Sequence, residues 1–183
     1  MITLRMPDKE TERLYLRGLE EEDVCDIHEY CKLARVTKFL NYTPHIDIDD
    51  TLYILKSSYL PYTEMREPQV WCMVEKEAEK VIGHIYFHDF RQHCAQIAYV
   101  LHPDFWGKGY VTEALTELLH IGFSQLELHK VFAYVAVENI KSICVLERFG
   151  FRKLQILKKA EKLSDGLYHD IVEFVISKEE WRK

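Results

Sequence analysis

Residues Pro103-Asp104-Phe105-Trp106-Gly107-Lys108-Gly109-Tyr110-Val111-Thr112-Glu113-Ala114 decide the fold. Apolar residues alternate ahead of them (Ile97, Tyr99, Leu101), as on a strand, and recur at helical spacing behind them through Phe123. The stretch reads as a glycine loop between a strand and a helix N-terminus. Gly107 and Gly109 lack Cβ, so the backbone there can turn sharply and approach a ligand closely. The first helical turn carries N–H groups without intrahelical partners, and these face any anion lying before them. Lys108 adds a positive charge. A phosphate site is one reading of the loop; a plain turn entering a helix is the other. A P-loop does not fit, because Gly109 follows Lys108 where Ser or Thr is needed. A dinucleotide fingerprint does not fit either, because Thr112 stands where a third small residue is required.

A second constellation decides between the two readings. An apolar strand, Lys130 to Val137, leads into Asn139-Ile140-Lys141-Ser142 and then Val145-Leu146-Glu147-Arg148-Phe149-Gly150-Phe151. Together with the loop this resembles the GNAT acetyltransferases, which bind acetyl-coenzyme A. Within them, Thr11-Glu12-Arg13-Leu14-Tyr15-Leu16-Arg17 followed by Asp23 looks like the opening of the ribosomal-protein N-terminal acetyltransferase branch. So does Tyr99-Val100-Leu101-His102-Pro103 running into Trp106-Gly107-Lys108-Gly109-Tyr110, with Thr112-Glu113-Ala114 behind it. The resemblance covers essentially the whole chain. Gly18, Ala98 and Asp104 depart from the usual residues, and Ala98 bears on the strand beside the acetyl group.

The chain of 183 residues fits one domain, 1–183, and its 48% of hydrophobic residues can fill a sizeable core. No apolar run is long enough for a bilayer, and the N-terminal residues show no signal-peptide pattern, so the expected location is the cytoplasm. Five cysteines, Cys25, Cys31, Cys72, Cys94 and Cys144, are scattered without C-x-x-C spacing and read as reduced thiols. Net charge is −6, from 30 acidic and 24 basic residues, which argues against a nucleic-acid partner and suits a cationic one.

Periodicity predicts strands at 14–17, 69–74, 81–90, 94–101, 130–137, 151–158 and 169–176. It predicts helices at about 20–32, 47–62, 111–123 and 140–149. Those patterns alone support mixed α and β. The resemblance implies the specific α/β architecture, a GNAT fold. In it a mixed central sheet of about six to seven strands is splayed at the cofactor and flanked by about four helices.

By the same resemblance, the backbone of Tyr99, Val100 and Leu101 pairs with the pantetheine arm and polarises the thioester carbonyl. Trp106, Gly107, Lys108, Gly109, Tyr110, Val111 and Thr112 hold the pyrophosphate. Asn139 caps the following helix, and either stops there or also holds the pantetheine. Ser142, one turn in, is the expected proton donor to the leaving thiolate, with Tyr134 next in line. His84, Asp89 and Glu113 have the chemistry of a general base, although a carboxylate at the start of a helix, such as Glu113, also serves structure. His84 and His88 share a strand face but lack a third ligand, so no metal is expected.

The base remains unnamed, and a magnitude bears on the acceptor. An α-amino group, with pKa near 8, is about one-tenth neutral at pH 7, whereas a lysine is neutral about once in a few thousand. This favours an N-terminal or other low-pKa amine. Three functions stay open: a protein N-terminal acetyltransferase, a small-molecule amine acetyltransferase acting on a polyamine, amino sugar or antibiotic, and a non-catalytic acetyl-CoA-binding module. The expected partners are acetyl-CoA, an amine acceptor and, as an open option, a second copy in a homodimer; no membrane is expected.

Overall fold

The computed structural model describes residues 6–63 and 70–181. Gln69, at the start of one predicted strand, lies outside them. Within these residues one sheet holds eight strands: β1 (Lys9–Glu10), β2 (Leu14–Gly18), β3 (Trp71–Glu75), β4 (Lys80–Arg91), β5 (Cys94–Leu101), β6 (Lys130–Ala136), β7 (Arg152–Lys162) and β8 (Tyr168–Ser177). Their order across the sheet is β1-β2-β3-β4-β5-β6-β8-β7. Among the described residues only β5 and β6 run parallel; every other neighbouring pair is antiparallel.

Among the described residues six α-helices accompany the sheet: α1 (Val24–Cys31), α2 (Ala34–Thr37), α3 (Ile48–Ile54), α4 (Tyr110–Ser124), α5 (Ile140–Arg148) and α6 (Lys178–Trp181). Both totals exceed the expectation, and the surplus has a simple cause. β1 has two residues, and α2 and α6 have four each, too few for any period to show. The helix predicted over 47–62 follows the expected path but changes its winding. After α3 it passes into a π turn, Leu55–Tyr59, and then a 3₁₀ turn, Leu60–Thr63. Leu60 N–H reaches back to Leu55 O, and Pro61 has no N–H with which to continue an α ladder. Asp47 starts α3 as expected, its carboxylate accepting the Asp50 N–H at 3.0 Å.

The sheet separates two cores. On one face α4 buries Val111, Ala114, Leu115, Leu118, Leu119 and Ile121 against Ile85, Phe87, Ile97 and Leu101, with Leu146 of α5 alongside. On the other face Ile27, Tyr30 and Cys31 of α1 pack with Leu55 against Cys72, Val81 and Val100. Each fully buried Leu or Ile contributes about 2 kcal/mol before entropy is charged, so α4 is the principal anchor of its layer. Arg17 at the end of β2 forks onto Asp23 at 2.7 and 2.8 Å, fixing the start of α1. Cys31 and Cys72 lie in the second core, where burial pushes both thiols up to about 12; they are packing residues rather than thiolates.

One irregularity positions everything that follows. β5 pairs with β6 only at Cys94↔Lys130, Ala95↔Val131 and Gln96↔Phe132. Beyond those pairs β5 continues against β4 to Gly83↔Leu101, and β6 continues against β8 to Ala136↔Ile171. Two parallel neighbours thus part company halfway, leaving a wedge that opens toward their C-terminal ends.

Candidate active site

The wedge exposes a strand edge. His102 N–H turns to β4, donating to Ile82 O at 2.7 Å. Amides alternate along a strand, so those of Leu101 and Tyr99 turn the other way, into the wedge. The Val100 carbonyl follows His102: a Cβ built on Gly83 of β4 would stand 2.3 Å from it. Val100, expected to offer its backbone to the cofactor alongside its neighbours, therefore turns its carbonyl to β4, because alternation gives every second residue to the other side. Pairing is continuous from His88↔Gln96 to Gly83↔Leu101, so Ala98 sits in regular strand.

Past the strand the chain makes one 3₁₀ turn, Pro103–Phe105, and enters the glycine loop. Gly107 and Gly109 have φ of 73° and 85°, the left-handed region that side-chain-bearing residues avoid. Glu113 N–H is the first to close an intrahelical bond, to Gly109 O at 3.0 Å. The N–H groups of Tyr110, Val111 and Thr112 ahead of it have no intrahelical partner. Trp106 closes the loop's inner side, its indole N–H donating to Leu101 O at 2.8 Å while Lys141 Nζ lies 4.2 Å from its ring centroid.

Across the wedge, α5 begins at a cap. Asn139 Oδ1 accepts the Ser142 N–H at 3.4 Å. This turns the Ser142 hydroxyl onto the Tyr99 hydroxyl at 2.6 Å, although 43 residues separate the two. Tyr99 is half-buried, and burial pushes its phenol up to about 12 even though the Ser142 hydrogen bond pulls it down. Tyr99, Asn139 and Ser142 therefore form one cluster at the wedge.

The three base candidates separate. His84 pairs with Val100, so its side chain lies on the sheet face opposite that of Tyr99, which pairs with Ile85. It is 0% exposed, with Nδ1 2.9 Å from the Tyr30 hydroxyl and Nε2 lacking a hydrogen-bond partner among the described residues. Burial, then His45, lowers it to about 4, so it is a neutral core imidazole away from the Tyr99–Ser142 pair. Asp89 holds Gln96 and Arg91 where β4 turns into β5. Glu113 is clasped by Thr11 and Arg13; burial raises its carboxyl, but these hydrogen bonds outweigh it and hold the group below the ordinary range. Tyr134, the alternative proton donor, gives its hydroxyl to Glu173 at 2.8 Å instead.

Periodicity missed the roof over the wedge. α2 crosses it on the face opposite α4. At one side Arg35 reaches Asp104, just past β5, at 3.7 Å. At the other side Phe39 packs on Ala136, Leu163 and Ile171 of the β6–β8 end. His45, bonded through Thr51 to His28 at 2.8 Å on each side, ties the linker behind it to α1. Beneath lies a cavity of about 540 Å³. Its lining carries both signs of charge: Arg35 and Lys38 on the roof, Glu138, Asp165 and His169 opposite. Asp165 holds His169 Nε2 at 2.9 Å, with Glu138 3.6 Å from the other ring nitrogen. Both contacts hold the imidazolium form and raise its pKa, Asp165 first. Glu138 immediately precedes Asn139, so the cavity adjoins the start of α5.

Comparison with known proteins fits this geometry. Residues 13–152 match the acetyltransferase (GNAT) domain family. The uncharacterized N-acetyltransferase p20 of Bacillus licheniformis is 34% identical over 176 residues, covering 93% of this chain and 96% of that protein. The spermidine N(1)-acetyltransferase of Vibrio cholerae is 26% identical over 161 residues, 87% of this chain and 90% of that one. The crystal structure of a ribosomal-protein-S5-alanine acetyltransferase from Vibrio fischeri superposes with a TM-score of 0.82, covering 97% of this chain and all of that one. Its identity is 21%, so that likeness is one of fold.

Proposed function

This chain belongs to the GNAT acetyltransferase family and is an N-acetyltransferase; from that premise we propose that it acetylates the α-amino group of a protein N-terminus. The observation that carries the reading is the parting of β5 from β6 beside the Tyr99–Ser142 pair.

Acetyl-CoA fits the residues present. The amides of Gly107 to Thr112, with Lys108, take its diphosphate. The pantetheine arm lies along the free edge of β5, bonded by the main chain of Tyr99 and Leu101, with Trp106 and Asn139 flanking it. A main-chain N–H of that edge donates to the thioester oxygen; a donor aimed at a developing oxyanion is worth about 10²–10³ in rate. The acceptor amine enters from the cavity under α2. Its nitrogen forms a bond to the carbonyl carbon, the C–S bond breaks, and the sulfur leaves as thiolate. The nitrogen gives up its proton to solvent, and Ser142 donates a hydrogen bond to the departing sulfur. No covalent enzyme intermediate is needed.

The mixed charge of the cavity supports a peptide acceptor over a polyamine. A polyamine carries several positive charges and little else, and needs carboxylates that are not already compensated. Glu138 and Asp165 share His169, and Arg35 and Lys38 face them. A peptide, with one ammonium and a row of amide dipoles, suits that lining better. The relationship to a spermidine acetyltransferase keeps a second reading, acetylation of a polyamine, as the direct competitor.

Release of free CoA measured against N-terminal peptides, spermidine, amino sugars and aminoglycosides tests the proposal. Faster release with peptides than with any small amine is expected. Preference for spermidine would establish the competitor. No acceleration by any acceptor, with acetyl-CoA still bound, would leave a binding module.

A further inference from the structure

The glycine loop is held from the far end of the chain. Arg13, on the turn between β1 and β2, contacts it on both sides of Gly109. Its Nη1 donates to Lys108 O at 2.8 Å. Its Nε donates to Glu113 Oε2 at 2.8 Å, with Nη2 2.7 Å from the same oxygen, and its own N–H donates to Glu113 Oε1 at 2.8 Å. The guanidinium carbon lies over the Tyr110 ring, 4.3 Å from its centroid. The turn itself is fixed to the sheet, because Arg13 O accepts the Lys76 N–H at 3.0 Å.

We infer that Arg13 is a positioning residue for acetyl-CoA: by pinning the Lys108 carbonyl it aims the Gly109 amide into the anion cradle, without touching the cofactor itself. The inference rests on the loop being the diphosphate site. The geometry follows from the peptide bond. In a trans peptide the C=O and the following N–H point in opposite directions, and no cis peptide occurs among the described residues. Drawing Lys108 O outward to Arg13 therefore turns Gly109 N–H inward, toward the concave side of the loop. Glycine on one side of that peptide makes its rotation cheap, since both signs of φ are open to it. Something must choose one orientation in advance if the cradle is to bind an anion without first reorganising. Only an arginine can do this here. Its rigid fork serves a carboxylate along one edge and a carbonyl from the remaining nitrogen, while its charge sits over a ring face. The ammonium of a lysine is a single point and cannot hold both Glu113 oxygens and Lys108 O in the same fixed geometry.

Titration calorimetry with acetyl-CoA on the full chain, with steady-state kinetics, tests this. For Arg13→Lys, the dissociation constant and KM for acetyl-CoA should rise about tenfold or more, the loss of a charge-assisted hydrogen bond. Its kcat at saturating acetyl-CoA should stay within about twofold of the parent. Glu113→Gln, which leaves Arg13 on Lys108 O, should weaken affinity by a smaller factor. A purely structural Arg13 would lower the melting temperature and kcat with affinity unchanged, and that result overturns the inference. So does a Glu113→Gln effect equal to that of Arg13→Lys, because the ion pair would then be what matters. Should Arg13→Lys not fold, the Gly109 amide resonance of the unmodified protein decides. It must shift when CoA saturates the site, and a resonance that does not move overturns the inference. An unmodified protein that binds no acetyl-CoA would remove the diphosphate site itself, and this inference with it.

Discussion

Replacing Ser142 with alanine separates two ways in which the Tyr99–Ser142 pair can assist the leaving sulfur. The thiol of CoA has an ordinary pKa near 8.5, and Tyr99 stands at about 12, so moving the phenolic proton fully onto the thiolate runs about 5 kcal/mol uphill. Complete transfer is therefore not what the pair contributes. A hydrogen bond to the sulfur as charge develops is, and a hydrogen bond to a charged group is worth about 1.5–3 kcal/mol. Ser142→Ala should thus lower kcat by about ten- to a hundredfold, with the acetyl-CoA dissociation constant little changed. Tyr99 is more acidic than a serine hydroxyl, so in the proposed mechanism the chain of donors would run from Tyr99 to Ser142 to sulfur. Tyr99→Phe removes only the neutral bond behind Ser142 and should cost about three- to tenfold. Because Tyr99 acts through Ser142, the double variant should be no slower than Ser142→Ala alone. Pre-steady-state release of CoA, followed with a thiol reagent at saturating substrates, measures all three. Rate losses that multiply, or a Tyr99→Phe variant slower than Ser142→Ala, would refute the relay. Since Tyr99 titrates near 12, the alkaline side of the kcat profile should be flat to about pH 10; a falling limb below that would equally count against it.

Three further outcomes concern stability. Gly83→Ala places a methyl 2.3 Å from the backbone oxygen of Val100, which no rotamer relieves, so urea denaturation should show a loss of about 3 kcal/mol, with weaker acetyl-CoA binding as β5 is displaced. Thr37 is fully buried with a hydroxyl that has no partner among the described residues; Thr37→Val should raise stability by about 1 kcal/mol, and a drop would mean the hydroxyl is satisfied in solution. His84 is held neutral down to about pH 4 when folded but protonates near 6.5 when unfolded. Its contribution is therefore present above 6.5 and is lost as pH falls from 6.5 toward 4, by about 3 kcal/mol in all. His45 and His88, also lowered by burial, act with the same sign, and His169, raised by Asp165, acts against it. Comparing urea curves at pH 7.5 and 5 for the parent and His84→Gln isolates the term; an unaltered pH dependence in the variant would exclude His84 as its source.

What could be read along the chain was whatever local geometry dictates. The helix over Tyr110–Ser124 announced itself through Val111, Ala114, Leu115 and Leu118 at helical spacing, and all four are buried. Gly107 and Gly109 were legible because only glycine enters the left-handed region cheaply, and both adopt it. Asn139 was legible as a cap for the same kind of reason: its carboxamide reaches an amide three residues on. The short elements were not, since two or four residues carry no period. That omission concealed α2, and with it the roof of the cavity.

The order of the elements, the glycine loop and the capped helix are set by residues within a turn or two of one another, and sequence alone determined them. The tertiary structure decided which chemistry survives. Alternation allots His84 to a strand face, but α1 with its Tyr30 buries it there, and no local pattern tells a buried imidazole from a catalytic one. Tyr99 meets Ser142 across 43 residues, and Arg13 meets Glu113 across 100, because the sheet sets β5 beside α5 and β2 beside α4. Contacts that span the chain depend on where the whole sheet places its ends. Each residue's own spacing can say which face it is on, and not who waits there.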